Sequence, residues 1–298
     1  MEEIKSQLLK NRPSLSEGSI KTYTSLIKSI HSKVFPNETF DIENLNDYET
    51  VINYLSPLPY NKRKTTLSAL FVLTQIPEYQ QLMMEDLQIH NNKELEQTQN
   101  EKQEANMIPF EEVKKIVNKY EKNTKLLYKK EGALDMKDLQ QIQLFIILAL
   151  TTGYYFEPRR SQDWIMSFRD YDEDKDNYYD RETNEFVFNK YKTSNLYGTH
   201  IVKPPRKVKT ILQKWLDVNP SDYILFNSKA KPLTPPEIAH RLNEIFGRQV
   251  STSMLRHIFL TNYYSEKRKL KEMTETAKNM GHSVTQGLAY VKNPADEK

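Results

Sequence analysis

Apolar residues recur at three- and four-residue intervals through most of this chain, interrupted by one stretch that alternates. Over Ser14–Ser32, Ile20, Tyr23, Leu26, Ile27 and Ile30 fall on one helical face, with Ser16 or Ser19 as the cap. Asp41–Leu55 reads as a shorter helix ended by the Pro57/Pro59 turn. Asn61–Thr74 reads as another, with Leu67, Leu70, Phe71 and Leu73 apolar behind the basic start Lys62-Arg63-Lys64. From His90 to Asn106 the chain is almost wholly polar, which fits either a solvated helix or a linker between domains. Ile108-Pro109 followed by Phe110-Glu111-Glu112-Val113 is a helix start with early acids. Gln140–Thr152 is apolar on every side and of helix length, so a buried core helix is predicted. Asp170–Tyr191 alternates polar and aromatic residues around turn-forming clusters and predicts short antiparallel strands. Helical spacing returns over Val208–Leu216, Pro236–Phe246, Ser253–Ser265 and Lys271–Met280. The expected fold is mainly α, with one small antiparallel β-sheet inside the second of two domains.

Charge sharpens the division. Residues 1–105 hold 11 Lys and Arg against 15 Asp and Glu, a net of −4, while the remainder holds 32 against 25, a net of +7. That shift favours the linker reading and gives domains at 1–90 and 108–298 joined by 91–107. A basic second domain suits a polyanionic partner. The longest strongly apolar run, Leu144–Leu150, is too short to cross a bilayer, and the first residues lack a basic start leading into an apolar stretch. The expectation is a soluble, intracellular protein. With no cysteines, disulfides, thiol nucleophiles and thiolate metal sites are excluded. No histidine cluster has metal-ligand spacing, no glycine-rich phosphate loop is present, and the acidic run Asp170–Asp174 reads as a turn, so neither metal nor nucleotide cofactor is expected.

The candidate chemistry lies in the second domain. In chain order stand Arg160 in Pro158-Arg159-Arg160-Ser161-Gln162-Asp163-Trp164, Lys192 in Lys190-Tyr191-Lys192-Thr193, and Arg256 in Ser253-Met254-Leu255-Arg256-His257-Ile258-Phe259-Leu260-Thr261. His282 follows in Met280-Gly281-His282-Ser283, and Tyr290 comes eight residues later. A tyrosine served by two arginines, a lysine and a histidine suits phosphodiester cleavage without a metal. The phenol attacks phosphorus, fixed cations hold the crowded charge, and a proton donor releases the leaving oxygen.

These boxes resemble those of the tyrosine recombinase (phage-integrase) family. Arg256 and its neighbours are similar to His-x-Leu-Arg-His-x-Phe-x-Thr, and Met280–Ser283 to Leu-Gly-His-(Ser/Thr) before the nucleophile. The resemblance is good over Ile108–Val291. It is loose before that, where Ser16–Tyr23 and Thr65–Leu70 resemble a SAM-like core-binding domain. It implies a DNA strand transferase that cleaves and rejoins DNA through a 3′-phosphotyrosyl link, acting as a homo-oligomer (a tetramer) on double-stranded DNA in a mobile element or virus. Its expected place is a prokaryotic cytoplasm, or a host nucleus or viral factory. Arg160, Lys192, Arg256, His282 and Tyr290 take the catalytic positions. Arg160 is preferred to Arg159 because Asp163 stands three residues on, where the family has a carboxylate that could fix the guanidinium. Lys192 is preferred to Lys190 as general acid, and His282 is expected to donate to the phosphate. Lys62, Arg63, Lys64, Arg159 and Lys190 are expected DNA contacts. Ser253 departs from the pattern, standing where the family usually has histidine, and the position of His257 is usually packed inside. Two rival readings remain, a type IB topoisomerase and a DNA-binding relic whose site has decayed.

Overall fold

The computed structural model describes residues 2–265 and 269–293. Within them are fourteen α-helices and one four-stranded sheet, so the chain is mainly α. It divides into two compact units, Met1–Glu96 and Gln97–Lys298.

The first unit is built from α1 (Glu2–Asn11), α2 (Glu17–Val34), α3 (Tyr48–Leu55), α4 (Tyr60–Thr74) and α5 (Pro77–Leu95). Ser16 Oγ accepts from the Ser19 amide and starts α2, and Asp47 does the same for α3 through Thr50. α4 is buried nearly all round, with Leu67, Ala69, Leu70, Val72 and Leu73 in the core. Its last carbonyls, at Val72 and Leu73, accept from Asn11 Nδ2 at 2.8 and 2.9 Å, so α1 caps α4. Near the other end of α4, Arg63 grips Asp86 of α5 with Nε at 2.8 Å and Nη2 at 2.5 Å, and Nη1 donates to the Ser56 carbonyl. Asp86 is buried. Arg63, expected as a DNA contact, is therefore a tie between helices, because a buried carboxylate left unpaired costs more than an exposed arginine gains. Lys62 beside it is exposed, and Lys64 is half-buried.

The stretch 91–107, expected as a linker, is largely helical. Its start prolongs α5, and Glu101–Asn106 forms α6 behind a reciprocal cap between Asn100 and Gln103.

The second unit continues with α7 (Phe110–Leu127), α8 (Met136–Thr151), β1 (Met166–Ser167), β2 (Asn177–Asp180) and β3 (Glu185–Phe188). Then come α9 (Ser194–Tyr197), β4 (His200–Val202), α10 (Arg206–Val218), α11 (Pro235–Phe246), α12 (Thr252–Tyr264), α13 (Leu270–Asn279) and α14 (Val284–Ala289). α8 is its centre. Ile142, Phe145, Ile146, Ile147, Leu148 and Leu150 are buried, each worth roughly 1.5–3 kcal/mol of burial. The one amide among them, Gln143, is satisfied by the backbone of Phe226 in both directions, at 2.9 and 2.8 Å.

β2, β3 and β4 pair antiparallel, with Tyr178 opposite Val187 and Phe188 opposite His200. The two-residue β1 adds a parallel edge on β2 that the alternation did not announce, and the sheet is mixed. What positions the site is Gly153, just after α8. Its φ is +83°, and a Cβ there would lie 2.4 Å from the Phe259 ring, so α12 crosses tightly over the end of α8. Among the described residues no helix is long and apolar enough to cross a membrane.

Candidate active site

The segment leaving Gly153 bends as far as Phe156 and reaches Arg160 in extended conformation (φ −70°, ψ 151°) before a short 3₁₀ turn, Ser161–Trp164. Adjacent side chains in extended backbone point opposite ways, so Arg159 and Arg160 part company. Arg159 goes inward and is fully buried. Its Nε donates to Asp163 Oδ2 at 2.9 Å, and its Nη1 donates to the Asn279 carbonyl at 2.7 Å and to His200 Nδ1 at 3.1 Å. The guanidinium lies 3.9 Å from the centre of the Phe188 ring. Arg160 goes the other way, toward Tyr290, with its Nη1 buried and unpaired.

Two expectations are corrected here. Asp163 fixes Arg159, not Arg160, because the i, i+3 rule belongs to helices and this backbone is not helical. And Arg159, fully enclosed, is no DNA contact but a buried strut joining the loop, β4 and the end of α13. Burial pushes Asp163 up and Arg159 down, while the charge of each and their mutual hydrogen bond oppose both shifts.

His200 was not singled out from sequence, where it is one of six histidines with no motif around it. Burial, then the charges of Arg159 and Lys278, push it down to about 4. The neutral ring is what allows Nδ1 to accept from Arg159.

α12 starts at Ser251, whose Oγ accepts from the Met254 amide. The next residue, Thr252, accepts from the Ser161 amide at 3.2 Å and so binds the start of α12 to the arginine loop. One turn on, Arg256 is fully buried beneath Tyr290, its guanidinium 4.8 Å from the ring centre. Nη1 donates to the carbonyls of Pro158 and Met280, at 2.9 and 3.3 Å, while Nε and Nη2 have no partner. Ser253 is exposed on the first turn of α12.

α13 ends in a turn at Gly281, φ +70°, where a Cβ would come 3.3 Å from Arg159 Nη2. Glycine is needed for both reasons. The turn delivers His282, which is buried and stacked on Tyr290 at 5.6 Å and 24°. His282 Nδ1 donates to the Ser283 carbonyl at 2.8 Å, which fixes the proton there and leaves Nε2 a bare acceptor, buried and unpaired. Burial, then Arg256, pushes the ring down to about 4. The expectation that His282 donates to phosphate does not describe this state, since the neutral ring has no proton on Nε2.

Tyr290 closes α14, half-buried, with His257 at its back. The His257 ring is 4.9 Å away, and its Nδ1 donates to the Tyr290 carbonyl at 2.7 Å. Burial works to raise the phenol, but Arg256 and Arg160 together outweigh it and hold Tyr290 below the usual tyrosine value. Both arginines act first through their charge and then by side-chain hydrogen bonding to the phenol.

Lys192 lies exposed in the turn after β3, with no hydrogen bond or ion pair among the described residues. The turn itself is anchored, since Thr193 Oγ1 donates to the Gly281 carbonyl at 3.3 Å beside His282. Lys190, the alternative, is held by Asp176 at 3.0 Å. The structure therefore brings Arg160, Arg256, His282 and Tyr290 together, with the Lys192 turn bonded to the same corner.

Unpaired buried guanidinium nitrogens belong to the two arginines that act on the phenol: Arg160 Nη1 and Arg256 Nε and Nη2. Each unsatisfied buried donor costs about 1–3 kcal/mol, so several at one point is what a cradle for an anion looks like. Among the described residues no group of three or more His, Asp or Glu could hold a metal ion.

No family model matches this chain, and no curated protein matches it in sequence. Among solved structures, the crystal structure of XerA recombinase matches at 13% identity and a TM-score of 0.42, covering 99% of this chain and 94% of that one. That likeness is loose.

Proposed function

We propose that this chain is a site-specific tyrosine recombinase that cleaves and rejoins double-stranded DNA through a 3′-phosphotyrosyl intermediate. One observation carries the reading: a phenol held below its usual pKa by Arg160 and Arg256, with unpaired buried guanidinium nitrogens on those two arginines. A phosphodiester is the substrate whose charge those nitrogens fit. As Tyr290 Oη attacks phosphorus, negative charge grows on the non-bridging oxygens, and the guanidiniums stabilise it there. Arg256 is prealigned by two backbone carbonyls and loses little freedom on binding. Lys192, on an anchored turn with a free ammonium, delivers the proton to the departing 5′ oxygen. Neither metal nor nucleotide enters this scheme.

The resemblance of Ser253–Thr261 and Met280–Tyr290 to the family's boxes supports the same reading. A multimer assembled on DNA is part of the proposal, and so are a DNA-clamping role for the first unit and an origin in a mobile element or virus. The test starts from a duplex selected for binding out of a randomised pool. Nicked beside the cleavage position, that duplex traps a covalent protein–DNA complex in EDTA, and multimers exchange strands between two such sites. Relaxation of supercoiled plasmid by monomers without strand exchange would move the assignment to a type IB topoisomerase. Binding without any covalent complex would leave a relic.

A further inference from the structure

Ser253 stands where the resemblance leads one to expect a histidine, so an imidazole is missing from that position. Ser253 is exposed and cannot accept a proton near neutral pH. His257 uses its Nδ1–H on the Tyr290 carbonyl. The imidazole stacked on the nucleophile is that of His282, and the bond from its Nδ1 to Ser283 leaves Nε2 as a lone pair with no partner. Gly287, on α14, keeps that edge of the ring open: a Cβ there would sit 3.1 Å from His282 Cε1 and 2.8 Å from Tyr264 Oη.

We propose that His282, through Nε2, is the group that accepts the phenolic proton of Tyr290 during cleavage and returns it during rejoining. This rests on the recombinase reading and deepens it, since it replaces a phosphate donor by a base. The step balances. The Tyr290 Oη–P bond forms as the P–O5′ bond breaks, the phenolic proton passes to His282 Nε2 directly or through one water, and O5′ receives a proton from Lys192. Rejoining reverses each transfer.

The charges around the ring explain why it waits unprotonated. Arg256 and Tyr264 face it from α12, Arg159 and Arg160 from the loop before the 3₁₀ turn, and Tyr290 from the C-terminal cap of α14, and Lys192 lies on the turn bonded to Gly281. With three guanidiniums and one distant ammonium, the field disfavours imidazolium. An entering phosphate brings negative charge among those same guanidiniums and weakens that field, so the ring becomes a better acceptor when the substrate arrives.

The test is single-turnover cleavage of two duplexes carrying the selected site, one with O5′ and one with sulfur as the leaving atom. A thiolate leaves without a proton, so sulfur bypasses the general acid and isolates the nucleophile side. His282→Asn keeps a donor for the Ser283 carbonyl and removes Nε2. It is expected to cleave both duplexes about 100-fold more slowly, with unchanged DNA affinity, and the gap should close as pH rises and Tyr290 ionises by itself. A loss under about threefold, rescue by sulfur, or a gap that stays constant between about pH 6 and 9 overturns the proposal. The unmodified protein gives an independent check should the variant fold badly. On the sulfur duplex its rate should rise with pH and level off once His282 is deprotonated. A rate that instead climbs about tenfold per unit up to the phenol's own ionisation means no base is used. If the unmodified protein forms no covalent complex on either duplex, the recombinase reading itself fails, a different outcome from all of these.

Discussion

His257 donates from Nδ1 to the carbonyl oxygen of Tyr290 at 2.7 Å. The residue next to it, Arg256, lies under the ring of the same tyrosine. One turn of α12 therefore holds the nucleophile at two points, its backbone and its aromatic face. α14 has only six residues, too few to fix the residue that caps it, Tyr290, without such help.

His257→Ala is expected to slow single-turnover cleavage by tenfold or more, on the order of the misplacement penalty of a loosened catalytic group, while DNA affinity stays within about twofold. His257→Asn carries an amide N–H where Nδ1 was and should recover most of the rate. His257→Gln, whose N–H sits where Nε2 was, should not. Equal rates for Asn and Gln would mean that packing, not the carbonyl bond, is what matters.

Asp163 compensates a guanidinium with no access to water. Asp163→Ala strands that charge and is expected to cost roughly 3–5 kcal/mol of stability, read by urea denaturation. Asp163→Asn, which can still accept from Arg159 Nε, should cost less. The reverse order would show that Arg159 is held chiefly by Asn279 and Phe188.

Much of the scaffold was legible in the chain because burial imposes a period. Gln140–Thr152 had to be a core helix, and α8 covers all of it but Thr152, which caps the helix. α1 escaped notice because it buries only Ile4 and Leu8, too few to set a pattern. At the site, residue identity and order were enough to nominate Arg160, Arg256, His282 and Tyr290. Their geometry was not legible. The spacing points to Arg160 as the partner of Asp163, which binds Arg159 instead, because nothing local says that the chain is not helical at Arg160. His200 is silent in sequence, since its role comes from β4 pairing with β3 opposite Phe188, a contact between residues twelve apart.

Two histidines set an acid limit. His200 and His282 are both held down to about 4, against an ordinary value of 6.5. Groups whose folded pKa is depressed stay neutral in the fold and take up protons only on unfolding. Their stabilising contribution is thus whole above about pH 6.5 and is lost as pH falls toward 4. Denaturation midpoints should fall through that window, and His200→Gln should flatten part of the fall. An unchanged slope in that variant would contradict a neutral, buried His200.

The lysines of the turn after β3 separate cleanly. Lys192→Ala should cut cleavage of an ordinary duplex by about 100-fold or more and be rescued by a sulfur leaving atom, the mark of a lost general acid. Lys190→Ala removes only a surface pair with Asp176 and should change cleavage little. If the two exchange behaviour, the acid is Lys190.

The proposed cleavage depends on Tyr290 being the nucleophile. The most direct measurement is peptide mapping of the covalent complex trapped on a nicked duplex in EDTA. The account predicts one modified peptide, with a 3′-phosphate of DNA joined to Tyr290, and no complex from Tyr290→Phe. An adduct on any other residue, attachment at a 5′-phosphate, or a complex that persists in Tyr290→Phe would contradict it.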